Sequence, residues 1–225
     1  MSNPDNPHYA CFDDGAVSLY CGDCREVLDW LEADVLITDP PYGIGWSRSE
    51  NRARYSKAHP GIVGDEDTSL RDEALAMWGG RPAIVFGSFY APPPPAVRQV
   101  LIWHKPADAG VVGSTTGYRR DAEPIYLAGD WPTRTVETTS VLRSCLLSIK
   151  AVTVATGHPH TKPVDLMKRL IARAVDGTIA DPFAGSGSTL RAAKDLGRRA
   201  IGVEIDPDYC ATAAARLGQE VLDLA

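Results

Sequence analysis

At 225 residues the chain is long enough to bury one substantial core, and a single domain over 1–225 is the natural reading. It is 44% hydrophobic and 23% charged, ordinary for a globular protein, and its net charge of -6 argues against a protein whose only task is gripping phosphates. No apolar run reaches the ~20 residues of a membrane span, the first residues are polar, and the odd count of five cysteines gives no disulfide framework, so the expectation is a cytoplasmic protein with no membrane partner.

In chain order, 1–7 is polar and proline-bearing and is expected to fray. Cys11-Phe12, then Asp13-Asp14-Gly15, then Val17-Ser18-Leu19-Tyr20 predicts a hairpin turning at Asp14-Gly15. Cys21-Gly22-Asp23-Cys24 has metal-like spacing but no second pair, so no metal is expected, and Asp23 also suits the cap of a helix over 25–31. Val35-Leu36-Ile37-Thr38 is β-branched and apolar enough for a buried strand. The segment 43–67 is polar and arginine-rich with no convincing period, and loops of that length are functional or merely solvated. A helix is predicted over 70–78, and further strands at Ala83-Ile84-Val85-Phe86-Gly87, Val100-Leu101-Ile102-Trp103 and Glu123-Pro124-Ile125-Tyr126-Leu127. Pro92-Pro93-Pro94-Pro95 between them reads as a stiff extended connection. Apart from that last strand, 107–157 has little regular pattern. Val164, Met167, Leu170, Ile171 and Ala174 form an apolar helical face, with Pro163 in its first turn and Thr161 as its cap. The closing helix is predicted over 207–217.

Two stretches carry chemistry. Asp39-Pro40-Pro41-Tyr42 follows the strand of Val35, and the prolines force the chain to turn where ligands sit in an α/β sheet. The prolines lack N–H groups, so the loop presents carbonyl acceptors, one carboxylate and an aromatic ring, the parts needed to hold and activate a planar amine. The plain alternative is an Asp-Pro-Pro turn beside a surface tyrosine. The second stretch begins with the strand Gly177-Thr178-Ile179-Ala180 and continues Asp181-Pro182-Phe183-Ala184-Gly185-Ser186-Gly187 into a helical run. Its glycines let a ligand approach the backbone, but the third glycine of a dinucleotide fingerprint and the lysine of a phosphate loop are missing. The next strand, Ala200-Ile201-Gly202-Val203-Glu204, ends in an acid about twenty residues on, where ribose hydroxyls are bound. A cofactor with a ribose but no phosphate fits this better than NAD or ATP.

With both motifs in this order, each at a strand end, the chain resembles the β-class S-adenosylmethionine-dependent amino-methyltransferases of DNA. The matching pieces run from about Val17 to Leu217. The resemblance implies an α/β, Rossmann-like methyltransferase fold of circularly permuted motif order, with a mostly parallel sheet of about seven strands and helices on both faces. It implies S-adenosylmethionine as cofactor, bound by Asp181, Phe183, Ala184, Gly185, Ser186, Gly187 and Glu204. Asp23 would accept from the cofactor's adenine, while Lys162 and the helix start after it would favour the cofactor carboxylate. His160 stands where the family more often has Thr. Asp39, Pro40, Pro41 and Tyr42 would be catalytic, with DNA as partner and the 6-amino group of a flipped adenine as acceptor. Asp in the first place of that motif is more often associated with adenine, and Ser with the 4-amino group of cytosine, which is the alternative base. None of the five cysteines follows a proline, so the thiolate route to cytosine carbon 5 is set aside.

On this resemblance 43–67 becomes a mobile flap beside the target base, and 107–157 a short target-recognition region. Arg48, Arg52, Arg54, Lys57, Arg119 and Arg120 would give a local basic rim. Relatives in this class are often dimers, which implies a homodimer to supplement the small recognition region. A restriction endonuclease partner is not specified by the sequence. The rival readings are an RNA or protein methyltransferase, or a silent DNA-binding relative.

Overall fold

The computed structural model describes residues 9–45, 61–106, 121–132, 145–150 and 161–219. The basic residues from Arg48 to Lys57, Arg119, Arg120 and His160 lie outside these segments.

The strands are β1 (Tyr9–Asp13), β2 (Val17–Cys21), β3 (Val35–Thr38), β4 (Ala83–Phe86), β5 (Val97–His104), β6 (Ala122–Ala128), β7 (Leu146–Ser148), β8 (Ile179–Asp181) and β9 (Ala200–Glu204). The helices are α1 (Ser69–Trp78), α2 (Val164–Ile171), α3 (Ser188–Asp195) and α4 (Pro207–Leu217). The described strands form one sheet in the order β1-β2-β9-β8-β3-β4-β6-β5-β7. From β2 to β4 every neighbour is parallel, while β1 on β2 and β6 between β4 and β5 are antiparallel. The sheet thus has nine strands where about seven were expected. The extra ones are edge pieces, and β7, three half-exposed or exposed residues paired with β5, has too short a pattern to read from sequence.

Side chains alternate across the central strands, as a period of two requires. Val35, Ile37, Ile84 and Phe86 point into one core with Leu166, Leu170 and Leu190 of α2 and α3. Leu36, Val85 and Ala180 point into the other with Trp30 and Trp78, whose rings stack at 5.9 Å. The central strands are therefore buried on both faces, which is why they read as unbroken apolar runs.

Two local expectations fail. No helix spans 25–31: the chain makes turns there, followed by a 3-10 turn over Asp29–Glu32. The buried Trp30 indole donates to the Cys24 carbonyl at 2.9 Å, competing for the acceptor that a continuing helix would offer to Leu28. Thr161 does not cap α2. Pro163 holds the N-cap position, and the Thr161 hydroxyl lies 3.2 Å from that of Ser186. The last helix begins as its sequence predicts, with Asp206 accepting from the N–H groups of Asp208 and Tyr209.

Candidate active site

The centre of the sheet brings the two motif strands together. β3 and β8 pair in parallel with Val35 opposite Ile179 and Leu36 opposite Ala180, so their carboxyl ends open side by side. The chain runs outward in opposite directions from this pair, through α1 to β4 and through α3 to β9, which makes it a topological switch point. The Thr38 hydroxyl donates to Asp181 at 2.7 Å, fastening one strand end to the other.

Past β3 the chain turns at the buried Pro40 and Pro41, leaving Asp39 and Tyr42 half-buried. The Tyr42 hydroxyl donates to Asp39 Oδ1 at 2.7 Å, and Lys162 Nζ stands 2.7 Å from Asp39 Oδ2. Lys162 also donates to the Tyr42 hydroxyl at 3.1 Å and lies 3.5 Å from Glu123, whose other oxygen is paired with Lys105. Burial pushes the Asp39 carboxyl up, against the pull of Lys162 and the Tyr42 hydrogen bond. Burial also presses on the Lys162 ammonium, but Asp39 and Glu123 outweigh it and its pKa is raised. The Tyr42 phenol is pushed well above its ordinary value by burial and by Asp39.

The second motif makes a tight cradle between β8 and α3. Gly185 and Gly187 both adopt left-handed backbone, at φ 53 and 76. The Glu204 carboxylate accepts from Gly185 N–H at 2.6 Å and from Asp206 N–H at 2.9 Å, tying the glycine loop to the end of β9. Gly202 is needed for packing: a Cβ there would lie 2.6 Å from Leu190 Cδ1 and 3.2 Å from Ala184. Asp181 is buried, held by Thr38, Thr189 and the Phe183 N–H, and burial lifts its carboxyl to about 7.

Both motifs open into one cavity of about 740 Å³. Asp39, Pro40, Pro41 and Tyr42 border it, as do Asp23, Phe183, Gly185 and Glu204. Lys162, expected at the cofactor carboxylate, borders the cavity with its ammonium on Asp39 and Glu123. Asp181, Ala184, Ser186 and Gly187 are not among the bordering residues; they shape the loop from behind. Asp23 faces the cavity while its carboxylate pairs with Arg25 at 2.6 Å and accepts from the Arg25 N–H at 2.9 Å. Asp65 gathers the described ends of 43–67, accepting from Gly43 N–H at 2.8 Å while its carbonyl accepts from Gly45 at 2.7 Å. Sequence reading gave no role to Glu123, or to Phe89 and Tyr90, which stand 58% and 67% exposed at the cavity rim. An aromatic pair directly after a predicted strand was the available signal for the latter two.

Residues 128–215 match a protein-family model described as DNA methylase. Among solved structures, the M1.HpyAVI complex with SAM superposes with a TM-score of 0.63 at 22% identity, covering 90% of this chain and 100% of that one. The cytosine-N4-specific PvuII DNA methyltransferase gives 0.65 at 17% identity, covering 95% and 90%. The chain has the fold of the DNA methyltransferases and is similar to a DNA methylase family over residues 128–215. The methyltransferase fold and the resemblance carried by the two motifs are thereby borne out. Type II methyltransferase M.ScaI of Streptomyces caespitosus is 41% identical over 71 residues, 31% of this chain but only 23% of that relative's length. The YubD protein of Escherichia coli K12 is 28% identical over 215 residues, 87% of this chain and 88% of that protein. No helix among the described residues is long and apolar enough to cross a membrane.

Proposed function

We propose that this protein transfers a methyl group from S-adenosylmethionine to the exocyclic 6-amino group of adenine in DNA. The observation that carries the reading is one cavity bordered both by Asp39-Pro40-Pro41-Tyr42 and by the Gly185–Glu204 cradle.

The cradle fits such a cofactor. The Glu204 carboxylate is held by backbone N–H groups and still borders the cavity, where it can accept from a ribose hydroxyl. The left-handed Gly185 lets a ligand approach the main chain without a Cβ in the way. Phe183 supplies an apolar wall and Asp23 a carboxylate for a base edge. When bound, S-adenosylmethionine supplies a methyl group already activated by its sulfonium centre.

An amine conjugated to a base ring is a poor nucleophile, and the chain's part is to free its lone pair and aim it. Asp39 and the Pro40 carbonyl accept hydrogen bonds from the amine, and the Tyr42 ring stacks on the base. The base must leave the duplex, because an amine within the stack cannot line up with the methyl group. Positioning supplies most of the acceleration, since no covalent step to the protein is involved. The 4-amino group of cytosine is the second reading, supported by the likeness to the cytosine-N4-specific PvuII fold. DNA is the proposed partner. A homodimer supplementing the recognition surface is proposed with it, and full activity from a monomer by light scattering would remove that part.

The test is transfer of labelled methyl from S-adenosylmethionine to unmethylated DNA, with nucleoside analysis and the Asp39→Ala protein alongside. N6-methyladenine that disappears with Asp39→Ala is expected, with cofactor affinity little changed. N4-methylcytosine would change the base, and label on RNA or protein alone would overturn the assignment to DNA.

A further inference from the structure

Four charged side chains from four separate segments meet behind the Asp-Pro-Pro-Tyr loop. Lys105 follows β5, Glu123 lies on β6, Lys162 precedes α2 and Asp39 follows β3. They alternate in sign along a continuous line: Lys105 to Glu123, Glu123 to Lys162, Lys162 to Asp39. Lys162 is only 6% exposed. Its ammonium stands 5.1 Å over the Phe86 ring, 5.5 Å over that of Tyr42 and 5.9 Å over that of Trp103. These rings shield the cation from water and favour it electrostatically, so its compensation comes from the two carboxylates and the Tyr42 oxygen.

We propose that Lys162 is a positioning residue for Asp39, whose ammonium, shared with Glu123, keeps the Asp39 carboxylate ionised and turned toward the target amine. This goes beyond the methyltransferase reading but rests on its assignment of Asp39.

The geometry explains why a shared cation is needed. The charged and titratable groups facing Asp39 are Lys162, Tyr42, Glu123 and Asp181, with Lys105 beyond Glu123 and Asp65 acting on Tyr42. Among the described residues, the ionisable neighbours other than Lys162 that act on Asp39 directly either donate a single hydrogen bond or carry negative charge when ionised. Without Lys162, Asp39 and Glu123 would confront each other in a site that already disfavours charge, and Asp39 would take up a proton. A protonated Asp39 has lost the charge that strengthens its acceptance of a hydrogen bond from the amine. The Lys162–Tyr42 hydrogen bond also fixes the phenol so that its own proton points to Asp39 Oδ1 while the ammonium takes Oδ2, and each oxygen keeps a second lone pair for substrate.

The test compares wild type with Lys162→Met, Glu123→Gln and the double variant in full-length protein. With saturating S-adenosylmethionine and DNA, Lys162→Met should lower kcat about 100-fold near neutral pH, the scale set by removing one partner of a buried pair. Its acid limb should move to higher pH. The double variant, freed of the second carboxylate, should recover about tenfold of that loss. The cofactor Kd, measured by calorimetry, should change less than about threefold. In parallel, carbon-13 NMR of the carboxyl groups should show Asp39 titrating higher in Lys162→Met and lower in Glu123→Gln, with no turnover required. If Lys162→Met does not fold, the double variant, which buries no unpaired carboxylate at Glu123, decides: Asp39 should titrate higher there than in Glu123→Gln, and an equal titration would overturn the proposal. An unmoved pH profile with cofactor affinity weakened tenfold or more would overturn the proposal and make Lys162 a cofactor contact. Absence of methyl transfer by wild type would sink the parent reading, while the NMR titration would still decide the pairing.

Discussion

Asp181→Asn should make the protein more stable above neutral pH and leave its stability nearly unchanged in mild acid. In the folded state burial raises the Asp181 carboxyl from 3.8 to about 7, against the hydrogen bonds from Thr189, Thr38 and the Phe183 N–H. Between these values the folded protein holds a proton that the unfolded chain has released. The stability this contributes is fully present below the unfolded value and is lost as pH rises to the folded one, at about 1.4 kcal/mol per pH unit. Across the whole window the loss is about 4 kcal/mol. Asparagine keeps a carbonyl oxygen for the same donors and never ionises. Urea denaturation of both proteins from about pH 4 to about pH 8 should therefore show curves that coincide in acid and separate by several kcal/mol in favour of the variant. A constant gap across pH, or a wild type favoured at the alkaline end, would refute the claim that burial dominates at Asp181.

Gly202→Ala should cost about 1–3 kcal/mol in chemical denaturation, because its new methyl would press on the fully buried Leu190. It should also weaken cofactor binding, since Ala184 of the glycine loop is displaced with it. Arg81→Ala should cost about 2 kcal/mol by thermal melting. The guanidinium donates to the Leu31 and Ala33 carbonyls at 2.9 and 2.7 Å and lies 3.6 Å over the Trp78 ring, so tryptophan emission should shift as well. Tyr42→Phe keeps the ring but loses the proton donated to Asp39, and should lower kcat about tenfold with KM for DNA little changed. An equal loss in KM would mean that the hydroxyl serves binding.

What could be read in advance was what the local pattern controls. Val35 to Thr38 announces a doubly buried strand by four apolar or β-branched residues and announces its end by two prolines, and both lie where expected. The helix over 207–217 follows from its alanine-rich run, to which the structure adds an aspartate cap. The failures were of two kinds. The stretch after Asp23 has helical composition, but the burial of Trp30 and its bond to Cys24 hold it in turns, a tertiary effect with no local sign. The ion network on Lys162 joins segments far apart in sequence, and no spacing rule connects Lys105, Glu123, Lys162 and Asp39. The cavity was legible through its two motifs, whereas the electrostatic support behind them came only with the topology.

The parallel pairing of β3 with β8, and of β2 with β9, has a consequence for the chain as it is made. Early strands are separated in the sheet by late ones, so β2 and β3 emerge from the ribosome with open edges that close only after residues up to Glu204 have followed. Loop closure over that distance is slow, and apolar strands with bare hydrogen-bonding edges invite association with other chains meanwhile. Neither the surroundings of the Asp-Pro-Pro-Tyr loop nor the glycine cradle can be completed by a partial product. Both walls of the cavity are completed late and together, when β8 and β9 slot between strands that have been waiting for them.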